Sequence, residues 1–143
     1  MNVMSKNART FKQDIGRWDV SNVEFIKGMF FYALEFNQNV GSWNVSNVRD
    51  MNEMFYGARQ FNQDIGSWDV SNVETMYCMF HRVVEFNQGI GQWNISNVRD
   101  TNDMFGLAWA FNHSLRSWDI SLVLDKRDML PEDFPEIFHP LNL

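Results

Sequence analysis

Apolar residues recur along this chain at a fixed interval of 25 positions, with no insertion or deletion. Three columns keep the interval throughout: Trp18, Trp43, Trp68, Trp93 and Trp118; Phe11, Phe36, Phe61, Phe86 and Phe111; and Met29, Met54, Met79, Met104 and Met129. A fixed period of this size is typical of a solenoid, in which each repeat is one coil stacked on the next. Five copies exceed the roughly three coils that such a core needs for stability.

The first half of each repeat has the pattern of a short strand. In the third copy, IGSWDVSNV, Trp68 and Val70 are two positions apart and are expected to share a buried face. Asp69 then points the other way. The spacing also matches the L-x-x-L-x-L core of a leucine-rich repeat. Stacked in register, strands of about three residues would form a parallel sheet with strands roughly 4.8 Å apart.

The second half of each repeat, SNVETMYCMFHRVV in the third copy, has a helical pattern. Its apolar residues recur in steps of three and four, with Met79 and Phe80 adjacent: Val73, Met76, Met79, Phe80 and Val83. Ser71 and Glu74 form an S-x-x-E capping box, and the helix is expected to run about ten residues and end near Phe86. The predicted fold is therefore α/β, a leucine-rich-repeat-like solenoid with one short parallel strand and one short helix per coil.

The length predicts a single repeat domain over residues 1–143. Residues 1–10 align with the tail of a coil, residues 11–130 form five repeats, and residues 131–143 have no partner 25 positions away. Repeat proteins need atypical end coils that cover the open core. Phe134, Ile137, Phe138 and Leu141 are therefore expected to lie over the fifth coil as a cap. The alternative is that this tail docks on another chain.

Composition agrees with a folded chain and excludes several partners. Apolar residues make up 45 % of the chain and aromatic residues 15 %, so a large core is available. The formal net charge of −6 argues against nucleic acid, whose binding needs clustered Lys and Arg. No run of about 18 apolar residues is present, so direct membrane insertion is not expected. The first ten residues lack the apolar segment of a signal peptide, and the compartment stays open.

Few residues have a spacing that suggests chemistry. His81, His113 and His139 occupy unrelated repeat positions, so no metal set is expected from them. Cys78 is the single cysteine and is predicted to be a buried, inert thiol. The sequence therefore predicts no catalytic residue, no metal and no cofactor.

The outward face of the predicted sheet is polar and mildly acidic. It consists of two columns: Arg17, Ser42, Ser67, Gln92 and Ser117; and Asp19, Asn44, Asp69, Asn94 and Asp119. A regular polar array of this kind suits contact with a protein or a glycan. The alternative is a solvated face with no partner.

Charged residues also follow a period of two coils. Asp and Asn alternate after the tryptophans, and Glu and Arg alternate in a further column: Glu24, Arg49, Glu74 and Arg99. Facing like charges destabilise adjacent strands, so inserting Asn separates the carboxylates, whereas stacked Glu and Arg attract. Each exposed pair contributes only about 0.2–1 kcal/mol. The rhythm therefore favours control of register as much as it favours a function.

The segment FNQDIGSWDVSNVETMYCMF closely resembles the BspA-like bacterial surface-protein repeat, which is also described as a mycoplasma-lipoprotein type. The similarity runs in full from Phe11 to Phe111 and more weakly to Leu130. The usual Thr after SNV is replaced here by residues such as Glu74, and a lipid-attachment cysteine is absent. The resemblance implies a leucine-rich-repeat-like solenoid at the cell surface or outside the cell, and it brings no catalytic residues.

Together these observations favour a non-catalytic protein-interaction or adhesion module whose partner is a protein or a glycan. The alternative is a structural subunit that self-associates through the solenoid ends or the C-terminal tail.

Overall fold

The computed structural model describes residues 9–141 and residue 143. The chain winds in 25-residue coils, and equivalent residues of successive coils lie side by side. Parallel backbone bridges connect the coils in one row: Phe25 to Asp50, Asp50 to Thr75, Thr75 to Asp100, and Asp100 to Asp125. Before this row, the N–H of Glu74 donates to the Arg49 carbonyl at 2.8 Å. After it, the N–H of Met76 donates to the Asp100 carbonyl at 2.9 Å, so the backbone of each inner coil is bonded to both neighbours.

The predicted α/β architecture is wrong. Within the described part of the chain the helical structure is one three-residue 3-10 helix, Glu136–Phe138, and strand pairing is limited to isolated bridges. Turns replace both the strand expected around Trp68 and Val70 and the helix expected after Ser71. None of the described residues belongs to a helix with the length and apolarity needed to cross a membrane.

Each coil is instead a succession of four-residue turns, closed by a bond from the fourth N–H to the first carbonyl. In the third coil these turns span 65–68, 70–73, 76–79, 78–81, 80–83 and 83–86, with N···O distances of 2.9–3.2 Å. The buried apolar residues, none more than 4 % exposed, are their corners: Ile65, Trp68, Val70, Val73, Met76, Met79, Phe80, Val83 and Phe86. Because first and fourth turn residues are three apart, the turns reproduce the spacing that predicted a helix.

Positive φ angles prevent these turns from continuing as a helix. Cys78 (φ 51°) and Arg82 (φ 59°) are the third residues of the turns 76–79 and 80–83. A positive φ at this position belongs to a type II turn and not to a right-handed helix. The N–H groups of Cys78 and Phe80 donate to Asn102 and Met104 of the next coil at 3.0 and 2.8 Å. Backbone groups that a helix would satisfy internally are therefore satisfied between coils.

The core consists of stacked aromatic columns. Phe61 and Phe86 stack with ring centroids 6.0 Å apart, and Trp68 and Trp93 stack at 6.3 Å. The inward orientation predicted for Trp68 and Val70 is confirmed, with exposures of 4 % and 1 %. Each buried indole N–H donates at 3.1 Å to a carbonyl of the preceding coil: Trp43 to Ile15, Trp68 to Val40, Trp93 to Ile65, and Trp118 to Ile90. The tryptophans thus contribute both packing and directional bonds between coils.

The C-terminal tail covers part of the last coil. Phe134 stacks on Phe111 with centroids 5.6 Å apart, and the Leu115 N–H donates to the Phe138 carbonyl at 2.8 Å. Phe134 is 7 % exposed and Phe138 is half-buried, whereas Ile137 and Leu141, expected in the same lid, are 67 % and 69 % exposed. Of the partial coil predicted over residues 1–10, residues 1–8 lie outside the described residues.

Candidate functional site

The ten residues of the two polar columns are all exposed, and they lie on or between turns and not on a sheet. We call this set the polar face: Arg17, Ser42, Ser67, Gln92, Ser117, Asp19, Asn44, Asp69, Asn94 and Asp119. The predicted sheet face is therefore wrong as secondary structure, but its residues share exposure and recur at equivalent positions of the coils.

The Asp and Asn side chains of the polar face are tied to the serine two positions later. Asp69 Oδ1 accepts the Ser71 N–H at 3.1 Å and the Ser71 hydroxyl at 2.7 Å. Asn94 Oδ1 makes the same bonds with Ser96 at 3.2 and 2.8 Å. The hydroxyl bond, followed by the backbone bond, holds the pKa of Asp69 below its usual value. The predicted capping box is wrong, because the Ser71 hydroxyl bonds to Asp69.

Asparagine side chains connect successive coils beside the polar face. Asn72 Nδ2 donates to the Ser46 carbonyl of the preceding coil at 2.7 Å, and Asn97 Nδ2 donates to the Ser71 carbonyl at 2.7 Å. These bonds satisfy backbone carbonyls that the turns leave open. These bonds give a structural reason for the Ser-Asn pair that recurs at equivalent positions in successive repeats.

The alternating charges form the ion pairs expected from the sequence. Arg49 Nη1 lies 3.0 Å from Glu74 Oε1, and Arg49 Nε lies 3.9 Å from Glu24 Oε2. The three side chains are 53–58 % exposed, so solvent weakens both pairs. The predicted attraction in this column is confirmed for these residues, and its size suits register more than strong stabilisation.

A second candidate site brings together three side chains of different chemistry. The donor atoms of Cys78, His81 and Asp103 all lie within 4.8 Å of one another. Asp103 Oδ2 is 2.8 Å from His81 Nδ1 and 3.7 Å from Cys78 Sγ. The Asp103–His81 contact is an ion pair when the imidazole is protonated, and the buried Nδ1 has no hydrogen-bond partner within the described part of the chain. A thiol and a carboxylate therefore lie beside an imidazole nitrogen that makes no hydrogen bond.

A missing side chain at residue 106 makes this meeting possible. Phe31, Tyr56 and His81 occupy equivalent positions, and their rings stack with centroids 4.9 and 4.7 Å apart. The next position in the column is Gly106. A Cβ atom there would overlap the Asp103 carboxylate and lie 2.7 Å from His81 Nδ1. The glycine therefore ends the aromatic column and gives the carboxylate its place beside the imidazole.

The environment of Cys78 keeps it protonated. Cys78 is 3 % exposed, as predicted for a buried thiol. Burial raises its pKa to about 11, with a smaller opposing contribution from a hydrogen bond with Tyr77. A nucleophilic cysteine needs a depressed pKa and an adjacent base that takes its proton. Without a metal, the cluster therefore does not have the electrostatics of an activated thiolate.

The cluster borders a cleft of about 540 Å³. His81 and Asp103 line this cleft together with Trp109, Asp128 and Glu132. Trp109 is 60 % exposed, in agreement with its place outside the tryptophan columns. The carboxylates of Asp128 and Glu132 make the lining acidic, which favours cations.

The repeats match a known family. Residues 1–88 and 38–133 match the family described as Mycoplasma protein of unknown function, DUF285. The chain belongs to the DUF285 family. No curated protein matches it, and no solved structure matches it either. Membership in DUF285 supports a mycoplasma-type repeat protein and assigns no activity to the polar face or to the cluster.

Sequence reasoning missed the cluster in this DUF285 chain. The three histidines occupy unrelated repeat positions, so no shared site was expected from them. His113 and His139 indeed lie outside the cluster and bond to the carbonyls of Asn87 and Phe134 at 3.1 Å. The available signal was the period itself, because Cys78 and Asp103 are 25 residues apart and must stack. His81 is the fourth residue of the turn 78–81, which begins at Cys78, and its N–H donates to the Cys78 carbonyl at 3.2 Å.

Proposed function

We propose that this DUF285 chain is a non-catalytic protein-interaction or adhesion module that presents the polar face to a protein or glycan partner. The observation that carries the proposal is the combination of uniform exposure and regular spacing. All ten side chains of the polar face are exposed, and equivalent members recur at each 25-residue coil. A ligand with its own repeat, such as a glycan chain or an extended peptide, would meet the same groups several times.

The bonding beneath the polar face supports this proposal. Asp69 is bonded to Ser71 and Asn94 to Ser96, and Asn97 connects adjacent coils. Groups that are already ordered lose little conformational entropy when a partner binds. The polar face is therefore preorganised, although its side chains are small and exposed.

The resemblance of the repeat to BspA-like surface repeats is a second support. Such repeats are common in bacterial surface proteins, and adhesion is the role that this resemblance suggests. The leucine-rich-repeat fold is not part of the proposal, because the coils consist of turns.

A charge-insertion variant tests the proposal. Ser67→Arg with Gln92→Arg places on the polar face a side chain that the first coil already carries at Arg17, so the fold should persist. The control pair, Gln60→Arg with Val84→Arg, adds the same charge outside the polar face. Binding is measured on immobilised glycans and on purified extracellular-matrix proteins.

The wild-type chain is expected to bind at least one of these probes. The polar-face variant should bind at least about tenfold more weakly, while the control pair keeps wild-type affinity. The reason is that an added arginine charge and its volume disturb binding only where the partner contacts the chain. Equal affinities for the two variants, or no wild-type binding to any probe, would contradict the proposal.

Self-association is a second candidate function, favoured by exposed apolar residues near the C-terminal end. Leu124 is 83 % exposed, Ile137 67 % and Leu141 69 %. Glu24 and Glu74 precede Leu124 in its column, so Leu124→Glu introduces a residue that two other coils accommodate. Light scattering over a concentration series should show assembly that Leu124→Glu with Ile137→Lys abolishes. A chain that stays monomeric at every concentration would remove this candidate.

A further inference from the structure

We propose that Cys78, His81 and Asp103 form a binding site for a divalent transition-metal ion, with Zn²⁺ as the ion that fits the donor set best. The site is separate from the polar face and does not depend on the adhesion proposal. It supplies three ligands from two adjacent coils.

The donor atoms lie within 4.8 Å of one another, close to the spacing around one metal ion. Zinc binds sulfur at about 2.3 Å and nitrogen or oxygen at about 2.0–2.1 Å, so donors in a tetrahedral site lie roughly 3.3–3.6 Å apart. Cys78 Sγ and Asp103 Oδ2 are 3.7 Å apart. His81 Nδ1 and Asp103 Oδ2 are 2.8 Å apart and need to separate by about half an ångström, which small side-chain rotations provide.

The unsatisfied His81 nitrogen is the independent sign of a ligand. Buried polar atoms in folded proteins are almost always hydrogen-bonded, and an exception calls for an explanation such as a bound ion. His81 Nδ1 is buried without a hydrogen-bond partner in the described part of the chain, and it is the atom that faces the Asp103 carboxylate. A metal between the two groups satisfies both.

The donor types select the class of ion. Ca²⁺ and Mg²⁺ require shells of oxygen ligands, whereas this cluster has one carboxylate beside a sulfur and a nitrogen. Thiolate and imidazole together suit Zn²⁺ and its neighbours in the first transition row. Coordination also supplies the charge that keeps a bound thiol deprotonated.

The surroundings provide access and orientation. His81 and Asp103 border the cleft of about 540 Å³, which leaves a fourth coordination position for water or a partner's side chain. Asp128 and Glu132 line the same cleft and attract cations. Tyr56 stacks on the His81 ring with centroids 4.7 Å apart and an angle of 15°, so it acts as a positioning residue for the imidazole.

The test is metal titration of the full chain after treatment with a chelator. Zn²⁺ alone is titrated by calorimetry, and Co²⁺ alone by absorption, where a thiolate ligand adds a charge-transfer band in the near ultraviolet. We expect one Zn²⁺ per chain and a cobalt–thiolate band that Cys78→Ser removes. His81→Phe introduces the residue that the equivalent position 31 already carries. It should weaken Zn²⁺ binding by more than about 100-fold, which is more than the loss of a residue that only supports a metal ligand would cause.

The matched control is His113→Gln, because glutamine occupies that position in the other four coils. It should leave Zn²⁺ affinity unchanged. The melting temperature of each variant in chelator reports on folding. If His81→Phe proves unstable, the cobalt spectrum of Cys78→Ser is the deciding measurement. An absent thiolate band in the wild type, no Zn²⁺ binding, or binding that survives both His81→Phe and Cys78→Ser would overturn the proposal.

Discussion

Replacing Trp93 with phenylalanine tests whether the indole bonds hold the coils together. Trp93 is 3 % exposed, and its Nε1–H donates to the Ile65 carbonyl of the preceding coil at 3.1 Å. Its ring stacks on Trp68 with an interplanar angle of 4°. Phenylalanine keeps an apolar ring but has no donor. The variant therefore removes one bond and part of the ring volume while most of the packing persists.

The magnitude follows from these contacts. The Ile65 carbonyl retains a second partner, the Trp68 N–H at 3.1 Å. The lost bond should therefore cost about 1 kcal/mol, the low end of the range for a buried group that loses its partner. The missing ring volume is roughly 40 Å³, and at about 24 cal/mol per Å³ the cavity adds about 1 kcal/mol. Trp93→Phe should lower the free energy of unfolding by about 2 kcal/mol.

Urea denaturation followed by circular dichroism measures this loss, and the melting temperature should fall by roughly 4–8 °C. The matched control is Trp18→Phe, because Trp18 is only half-buried on the first described coil. It should cost less than about 1 kcal/mol. If the two variants lose the same free energy, the indole bond and the buried stacking of Trp93 do not contribute as argued.

Three further predictions follow from other contacts. Gly106→Ala should separate Asp103 from His81, because the added Cβ lies 2.7 Å from the His81 Nδ1. Zn²⁺ titration should then show weaker binding, and unchanged binding would contradict the proposal that the glycine makes room for the Asp103 carboxylate. Asp69→Asn should reduce the loss of stability in acid, because the pKa of Asp69 in the folded chain lies below its ordinary value of 3.8, so its stabilising contribution is present above pH 3.8 and disappears as the pH falls through the folded pKa. Melting temperatures measured from neutral pH downwards test this, and an acid dependence equal to that of the wild type would refute it. Arg49→Ala should lower the free energy of unfolding by less than about 1 kcal/mol, since both ion pairs are exposed; urea denaturation at low and high salt should give a difference that shrinks with salt, and a loss that salt leaves unchanged would count against the pairs.

The two candidate sites differ in how they arise from the repeat. The polar face follows the period, so its exposure could be predicted by reading equivalent positions such as Ser67 and Gln92. The metal cluster arises from departures from the period: Cys78, His81 and Gly106 each differ in residue type from the other members of their columns. An irregular residue becomes informative only when its neighbours in the adjacent coils are known.

The helix prediction failed for a geometric reason. Met76, Met79, Phe80 and Val83 are the corners of two consecutive turns, and their spacing is also that of one helix face. Residue types do not distinguish the two backbones here, because positive φ falls on Cys78, an ordinary L-residue. The stack itself makes the difference, since carbonyls of the next coil accept the N–H groups that a helix would bond internally.

The sequence by itself determined the 25-residue period, the burial of residues such as Trp68 and Val70, and the exposure of the polar columns. In a stack of identical-length repeats, residues at equivalent positions lie side by side, and the apolar ones are buried away from water. Only the tertiary structure decided that the coils are built from turns and that Asp103 meets His81. Both depend on bonds and contacts between coils, which a single repeat does not contain.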